Sequence, residues 1–164
     1  EIAFEAHKGQ KDLDGLPVVL HPFAVASKCT QPKEIVVALL HDVVEDSSYT
    51  FDDLRAVGIP DDIIQMLQLL THDKSETYEE YLQRIKTSGN EVALHVKLND
   101  LRHNLDRGRR GMHTQQVAKH EKAYLPMFKE EDYEEYKSLE DKKIVAKTLE
   151  KTKKNIQKAM STEL

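Results

Sequence analysis

The sequence predicts an all-α protein built as a single compact helical bundle, and three observations support this. Apolar residues in most segments recur at spacings of three and four, the period of an amphipathic helix. The chain has no Trp and only six Gly and five Pro, so it lacks the turn residues that a loop-rich all-β protein needs. Its 164 residues suit one core, and 39% of them are apolar while 32% are charged, as expected for helices with solvated faces.

The first helices are marked by the residues that interrupt them. Residues 2–8 form the end of a first helix, and residues 9–17 form a loop with Gly and Asp as turn residues. Pro22 suits the first turn of the next helix, predicted over 22–30, because its fixed φ fits and its missing N–H is not needed there. Pro32 breaks that helix. Residues 33–45 then predict a helix that is apolar nearly all round and lies at the centre of the core.

The middle of the chain carries several helix-start signals. Thr50 caps a short helix that ends near residue 58, and Pro60 begins the next one. The buried side of that helix is formed by Ile63, Ile64, Met66, Leu67, Leu69 and Leu70. Either Ser75 or Thr77 caps the following helix, which Gly89 and its neighbours end.

Residues 92–98 fit two kinds of secondary structure. Val92, Leu94, Val96 and Leu98 alternate with other residues, which is the pattern of a strand. Ala93 between them allows a buried helix equally well. Helix is favoured, because the sequence offers no second strand to pair with this one.

The last third predicts two further helices. Gly108 and Gly111 mark a loop, and a helix follows over 112–127 with a kink or stop near Pro126. Residues 138–160 predict a long amphipathic helix, which packs on the body or on another subunit. Its narrow apolar stripe consists of Val145, Leu149, Thr152, Ile156 and Ala159. One domain over 1–164 is therefore expected, with a motif-bearing core at about 1–125 and a helical extension at about 130–161.

An adjacent histidine and aspartate, His41 and Asp42, end the apolar run of residues 35–40. Burying such groups without partners costs roughly several kcal/mol, and a bound cation removes that cost. His21 lies at or just before a helix start and offers a third ligand, while Asp100 offers a fourth. Two nitrogens and two carboxylates with open positions for water suit Mn²⁺, Fe²⁺, Co²⁺ or Zn²⁺. Taken singly, each residue fits a structural role equally well, and only the joint pattern indicates a metal site.

Two further carboxylates, Glu45 and Asp46, follow His41 and Asp42 one helical turn later. They are more than one metal needs. One of them is therefore a candidate to orient or deprotonate a water molecule that attacks phosphorus. The pattern predicts a metal-dependent hydrolase.

The charge distribution narrows the class of ligand. The net charge of −5 disfavours a general nucleic-acid surface. Four of the six arginines nevertheless lie close together, at Arg102, Arg107, Arg109 and Arg110. Because guanidinium and phosphate pair bidentately, these are candidates to contact a small phosphorylated anion. The alternative is a solvated, charge-balanced turn.

Four ordered blocks carry a resemblance to a known family: AHKGQK at 6–11, GLP at 15–17 leading to HP at 21–22, ALLHDVVED at 38–46 and VKLNDLRHN at 96–104. They resemble the HD-domain superfamily of metal-dependent phosphohydrolases. They are closest to the hydrolase domain of RelA/SpoT-type enzymes and to stand-alone small alarmone hydrolases. Leu70-Thr71-His72 followed by Tyr78 and Tyr81 is also similar to the small-hydrolase subgroup.

This resemblance implies an all-helical fold and a Mn²⁺ held by His21, His41, Asp42 and Asp100. It implies that Glu45 and Asp46 serve the catalytic water, and that Lys11 and Asn104 lie beside the nucleotide. The implied reaction, which belongs to the stringent response, removes pyrophosphate from the 3′ position of guanosine tetra- or pentaphosphate, (p)ppGpp, and gives GDP or GTP. The alternatives are hydrolysis of an adenosine analogue, NADPH or a deoxynucleotide, a nucleotide sensor without turnover, and a helical interaction protein.

The sequence departs from the family at places that concern the base. Family members often carry an Arg and a Tyr around the Gly-x-Pro stretch, where this chain has Gln10 or Asp12, and Val18. Guanine preference is therefore less firmly indicated than the metal chemistry.

The remaining expectations concern cellular context. No apolar run approaches the roughly 20 residues of a membrane span. No signal peptide is visible, and the single cysteine, Cys29, fits a reducing, cytoplasmic setting. Cys29 is predicted to be a packed residue rather than a nucleophile. A homo-oligomer is compatible with the C-terminal helix, and no nucleic acid or membrane partner is expected.

Overall fold

The computed structural model describes residues 1–127 and 130–162, and within them the chain is helical without a strand. The helices are α1 (Ile2–Ala6), α2 (Leu20–Ala26), α3 (Pro32–Leu40), α4 (Val43–Asp46), α5 (Phe51–Ala56), α6 (Asp61–Leu70), α7 (Tyr78–Thr87), α8 (Glu91–Arg110), α9 (Thr114–Met127) and α10 (Glu130–Thr162). The predicted all-α class is confirmed. The chain separates into two units: the first, Glu1–Met127, holds α1–α9 and every predicted site residue, and α10 lies in the second.

The core of the first unit is built around α8. This helix contacts α2, α3, α6, α7 and α9. Its buried apolar residues Ala93, Val96, Leu101 and Leu105 recur at helical spacing. Residues 92–98 are therefore helix, as the favoured alternative predicted. Val92 and Leu98, which suggested a strand, are only partly buried beside this main stripe.

The predicted helix starts in the middle of the chain are confirmed. Thr50 forms a capping box with Asp53 at the start of α5. Thr77, and not Ser75, forms the equivalent box with Glu80 at the start of α7. These side chains satisfy backbone N–H groups that the first turn of a helix leaves without partners.

Two predictions about helix boundaries were wrong in an informative way. The helix predicted over 33–45 is interrupted at His41 and Asp42, which form a turn between α3 and α4. Gly108, predicted to lie in a loop, is buried inside α8. A Cβ at Gly108 would lie 3.0 Å from Val117 Cγ2, so glycine here allows α9 to approach α8 closely.

Smaller differences concern the ends of other helices. The helix predicted over 22–30 runs from Leu20 to Ala26, and the one predicted over 138–160 begins at Glu130. The predicted stripe on α10 is solvent-exposed at Val145, Leu149 and Ile156, while the side chain of Ala159 lies outside the described residues. No helix among the described residues is long and apolar enough to cross a membrane.

Truncating a core side chain should measure how much this packing stabilises the domain. Leu67 on α6 is 1% exposed, so Leu67→Ala is expected to lower the free energy of unfolding by about 2–5 kcal/mol. Leu20, which is 51% exposed, provides the matched control: Leu20→Ala should change it by less than about 0.5 kcal/mol. Urea denaturation monitored by circular dichroism measures both. Equal losses in the two variants would contradict the described core.

Candidate active site

Three helices bring the predicted metal ligands to one place. His21 lies in the first turn of α2, His41 and Asp42 form the turn that follows α3, and Asp100 lies on α8. α2, α3 and α8 all contact one another. Because the chain turns between α3 and α4, His41 and Asp42 both face the same point. Two consecutive residues on one continuous helix would instead point about 100° apart.

The distances among these side chains match those of ligands around one cation. His21 Nε2 lies 2.9 Å from Asp100 Oδ1, and His41 Nε2 lies 3.2 Å from Asp42 Oδ2. The two remaining His–Asp pairs, His21 with Asp42 and His41 with Asp100, are each separated by 3.7 Å. Atoms that bind one metal at about 2.0–2.2 Å lie roughly 3–3.5 Å from each other in tetrahedral or octahedral geometry. The ligand atoms of His21, His41 and Asp42 all lie within 4.8 Å of one another, a spacing that could hold one ion, and Asp100 adjoins this group at His21 and His41.

The side chain of His41 fits the role of a metal ligand closely. Its Nδ1 lies 2.6 Å from the carbonyl oxygen of Ala38 and donates to it, so when the ring is neutral its lone pair is on Nε2. Nε2 is buried and has no hydrogen-bond partner, although Asp42 lies nearby. A buried acceptor without a partner is destabilising unless something binds it. A cation between the imidazoles and carboxylates would satisfy it.

The electrostatics of the cluster favour positive charge. Burial disfavours charged His41, but the carboxylates of Asp42 and Asp100 outweigh it and raise the pKa of His41 well above its usual range. Burial also disfavours the charged form of Asp42 and so raises its pKa, but His41 and then His21 outweigh this and lower the pKa to about 2. Two ionised carboxylates, that of buried Asp100 and that of partly exposed Asp42, attract a cation, and a divalent ion would provide that charge while the imidazoles stay neutral.

Neighbouring residues hold Asp100 in position. Lys97 Nζ donates to Asp100 Oδ2 over 2.7 Å, and Asn104 Nδ2 donates to Asp100 Oδ1 over 2.8 Å. Lys97 is buried, and its ammonium group also lies 5.2 Å from the centre of the Tyr81 ring. On the opposite side, His103 Nδ1 lies 2.6 Å from His21 Nδ1. Such contacts orient ligands and commonly matter almost as much as the ligands themselves.

Removing the ammonium group of Lys97 should weaken metal binding while leaving the four ligands intact. In Lys97→Met, Asp100 Oδ2 loses its 2.7 Å partner, so the affinity for Mn²⁺ is expected to fall about 10- to 100-fold. Titration followed by electron paramagnetic resonance measures it. Lys151→Met, at an exposed position of α10, is the control. Unchanged affinity in Lys97→Met would show that Lys97 does not position Asp100.

A cleft of about 400 Å³ opens beside the cluster. Its wall includes His21 and Asp42 together with Lys11, Asp12, Leu13, Asp14, Val18, Asp46, Asn104, Arg107, Gly108, His113, Gln116 and His120. The volume suits a small molecule. Of the predicted substrate-binding residues, Lys11, Asn104 and Arg107 line this cleft.

The two predicted catalytic carboxylates occupy different surroundings. Asp46 lines the cleft, and burial, followed by the charges of Asp42 and Glu45, raises its pKa to about 6. Glu45 lines a neighbouring depression, where its Oε1 accepts a 2.7 Å hydrogen bond from the backbone N–H of His72. Of these two carboxylates, Asp46 is thus the one that shares the cleft with His21 and Asp42.

The arginine cluster does not act as one patch. Arg107 faces the cleft, and its guanidinium donates to Asn104 Oδ1 over 2.6 Å. Arg102 Nε donates instead to the hydroxyl of Tyr124, and Arg109 pairs with Glu121. Arg110 lies 3.4 Å from Asp106. The structure therefore does not bring Arg102 to the cleft with Arg107.

Several residues of the site were not singled out from the sequence. Lys97 and His103 lie within the block 96–104, and the spacing of Lys97, three residues before Asp100 on a helix, was a signal for an ion pair. His113 and His120, which no pattern in the sequence marks as site residues, both line the cleft. They lie after the last matching block, and no signal in the sequence indicates that α9 folds back beside α8.

Comparisons with known proteins give the following relatives. No family model matches the chain. The chain is 33% identical over 117 residues to the guanosine-3′,5′-bis(diphosphate) 3′-pyrophosphohydrolase of Haemophilus influenzae, a match that covers 63% of this chain and 17% of that protein. It is 34% identical over 115 residues to the Danio rerio protein named guanosine-3′,5′-bis(diphosphate) 3′-pyrophosphohydrolase MESH1, covering 63% of each. It therefore spans less than a fifth of the bacterial relative and less than two thirds of the fish relative.

A solved structure supports the same relationship. The fold of this chain is similar to that of a metazoan ortholog of SpoT, described as hydrolysing ppGpp and taking part in starvation responses. The TM-score is 0.57 at 25% identity, and the match covers 77% of this chain and 83% of that one. The resemblance to the RelA/SpoT-type hydrolase domains is confirmed.

Proposed function

We propose that this chain, a relative of the RelA/SpoT-type hydrolase domains, is a metal-dependent enzyme that removes the 3′-pyrophosphate of guanosine tetra- or pentaphosphate. The products would be pyrophosphate and GDP or GTP. The observation that carries the proposal is the convergence of His21, His41, Asp42 and Asp100, of which His21 and Asp42 line a cleft, with buried His41 Nε2 lacking a hydrogen-bond partner. The names of the relatives supply the substrate class.

The metal is proposed to be Mn²⁺, bound by the two imidazoles and two carboxylates. A mixed nitrogen and oxygen ligand set also accepts Fe²⁺, Co²⁺ or Zn²⁺. When bound, the divalent ion neutralises charge that develops on phosphoryl oxygens and makes water more acidic. The four side chains fix its place, and Lys97 and Asn104 fix Asp100.

The chain's own residues are proposed to divide the remaining work. Asp46, which shares the cleft with the ligands, accepts the proton of the attacking water. Lys11 and Arg107 bind phosphate groups, Arg107 with the bidentate geometry that guanidinium allows. Glu45 is proposed to act less directly, by holding the turn at His72 against α4. A cytoplasmic setting and a homo-oligomer remain predictions.

A second candidate substrate is favoured by the composition of the cleft wall. Leu13 and Val18 are apolar but offer no ring, and no Phe, Tyr or Trp is among the described residues that line the cleft. The groups on which a purine base could stack there are imidazole rings, such as those of His113 and His120, and the Arg107 guanidinium, and stacking on these does not select guanine over adenine. The adenosine counterpart of ppGpp and NADPH are the alternatives. A sensor without turnover is disfavoured, since Asp46 is a carboxylate that binding alone does not need.

A nucleotide panel tests the proposed function. The protein is mixed with Mn²⁺ and ppGpp, its adenosine counterpart, NADPH or a deoxynucleoside triphosphate, and the products are identified. Pyrophosphate release from the 3′-modified nucleotides, blocked by a chelator and absent in Asp42→Asn, is expected. Turnover of NADPH or the deoxynucleotide alone would keep the metal chemistry and replace the substrate. No turnover in metal-loaded protein would overturn the proposed reaction.

Replacing the cleft arginine should weaken substrate binding more than it slows chemistry. Charge-assisted hydrogen bonds contribute about 1.5–3 kcal/mol, so Arg107→Ala is expected to raise KM for ppGpp about ten- to a hundredfold. Arg110→Ala is the matched control, because Arg110 is half exposed and pairs with Asp106 outside the cleft. Steady-state kinetics on both variants measure the effect. An equal change in KM in the two variants would argue against a phosphate contact at Arg107.

A further inference from the structure

A second group of metal-ligating side chains lies outside the cleft. It consists of Cys29, which follows α2, Glu34 in the first turn of α3, and His95 on α8. One ligand atom from each lies within 4.8 Å of the others. Cys29 and Glu34 are buried, while the His95 side chain is 43% exposed, so the group has a path to solvent. The three residues form a cluster that the proposed reaction does not use. It is separate from the site formed by His21, His41, Asp42 and Asp100, called the first site below.

Hydrogen bonds link side chains of this cluster to one another and to Asn99. His95 Nδ1 is hydrogen-bonded to Glu34 Oε1, and Asn99 Nδ2 lies 3.3 Å from His95 Nε2. Cys29 Sγ donates to the carbonyl oxygen of Val25 over 3.5 Å, and its thiol also interacts with the side chains of Glu34 and Asn99. Burial and then the Glu34 carboxylate raise the pKa of the Cys29 thiol to about 11. The thiol is therefore not a nucleophile at neutral pH.

We propose that Cys29, Glu34 and His95 bind a second divalent cation of the zinc class, with a fourth position open to water. Thiolate, carboxylate and imidazole are the three ligand types that Zn²⁺ accepts in proteins. The charges also balance, because a thiolate and a carboxylate neutralise a divalent ion in a buried place. On binding, the S–H bond breaks, the sulphur–metal bond forms and the proton leaves to solvent. His95 binds as the neutral ring, with its remaining proton on the other nitrogen.

The position of this cluster indicates what a second cation would do. It would tie the end of α2, the start of α3 and the middle of α8 together. The same three elements supply His21, His41 with Asp42, and Asp100. Asn99, which contacts His95, directly precedes Asp100 in the sequence. A cation at Cys29 would therefore be a structural clip for the helices that hold the first site. Metal binding to the folded state alone raises the unfolding midpoint in proportion to the logarithm of its concentration.

The single cysteine makes a spectroscopic test specific. The sequence contains one Cys, and the first site has only nitrogen and oxygen ligands, so a thiolate-to-metal charge-transfer band can come from Cys29 alone. Titrating the protein with Co²⁺ is expected to produce this near-ultraviolet band. Cys29→Ser should lack it and still bind Co²⁺ at the first site. His41→Ala should keep the band, since His41 belongs to the other site.

Two spectroscopic outcomes would overturn the proposal. One is the absence of the band in wild-type protein saturated with Co²⁺. The other is an unchanged band in His95→Gln, which would show that Cys29 binds cobalt without the predicted partners. His95 is partly exposed, so this variant should fold, and circular dichroism checks it. As a second measurement, Zn²⁺ is expected to raise the Tm of His41→Ala but not that of His41→Ala combined with Cys29→Ser. Equal shifts in both would contradict the clip.

Discussion

Asp42→Asn is expected to release Mn²⁺ from the first site and to remove nucleotide hydrolysis with it, and His41→Ala should do the same. Each change deletes one of four converging ligands, and His41 Nε2 has no other partner to compensate. In Asp42→Asn the site also loses one of its two negative charges, while the surrounding side chains keep their places. A metal ion contributes several kcal/mol of transition-state stabilisation, so activity should fall at least roughly a thousandfold.

The measurement pairs metal binding with turnover on the same preparation. Mn²⁺ is a hard ion that prefers oxygen and nitrogen ligands, so its electron paramagnetic resonance signal reports the first site and not the cluster at Cys29. Asp61→Asn serves as the control, because the Asp61 carboxylate is exposed and pairs with Arg55 on the surface. It should bind Mn²⁺ and turn over normally. Full activity in Asp42→Asn, with no Mn²⁺ bound, would contradict the assigned metal site.

The sequence allowed the fold class to be predicted because helices leave a short-range pattern, whereas the ligand set stays a prediction. The stripe of Ala93, Val96, Leu101 and Leu105 follows the period of a helix, and a helix has to bury such a stripe against neighbours. The ligand set was predicted because His21, His41, Asp42 and Asp100 lie in ordered blocks whose spacing is shared with a known family. No rule of local propensity would have brought α2, α3 and α8 together by itself.

Features that depend on how distant helices meet were missed. The helical pattern of residues 33–45 continues through His41 and Asp42, so nothing local marks the turn between α3 and α4. Gly108 suggests a loop in the sequence, but in the structure it lies against Val117 of α9. The cleft positions of His113 and His120 depend on that same approach of α9 to α8. Tertiary contacts of this kind override the local preferences from which a sequence is interpreted.

The arginine cluster shows the same limit at the level of single side chains. Arg102 and Arg107 are close in sequence, and the pattern gave equal reason to assign both to phosphate binding. They are five residues apart on one helix and therefore face directions that differ by about 140°. Arg107 reaches the cleft, while Arg102 bonds to Tyr124 of α9. Charge density in a sequence thus indicates a ligand class without indicating which cations meet the ligand.

Replacing Asp46 is expected to slow turnover far more than replacing Glu45. Asp46→Asn keeps the shape of the side chain but removes its ability to accept a proton, so kcat should fall about 10²- to 10⁴-fold. KM and Mn²⁺ affinity should change little, because Asp46 is not one of the four ligands. The backbone carbonyl of Asp46, which accepts a 2.7 Å hydrogen bond from Gln10 Nε2, is unaffected by the change. The loss should therefore appear in chemistry and not in folding.

Glu45→Gln is the informative partner of that variant. Gln keeps an oxygen that can accept the hydrogen bond from the backbone N–H of His72, so the turn at His72 should persist. Turnover is expected to fall, but by less than in Asp46→Asn, while nucleotide and Mn²⁺ still bind. Single-turnover rates and Mn²⁺ titrations on both variants separate chemistry from binding. If Glu45→Gln proved the more damaging change, with binding intact, the proton acceptor would be Glu45. The cleft, as described with Asp46 on its wall, would then have to rearrange when substrate binds.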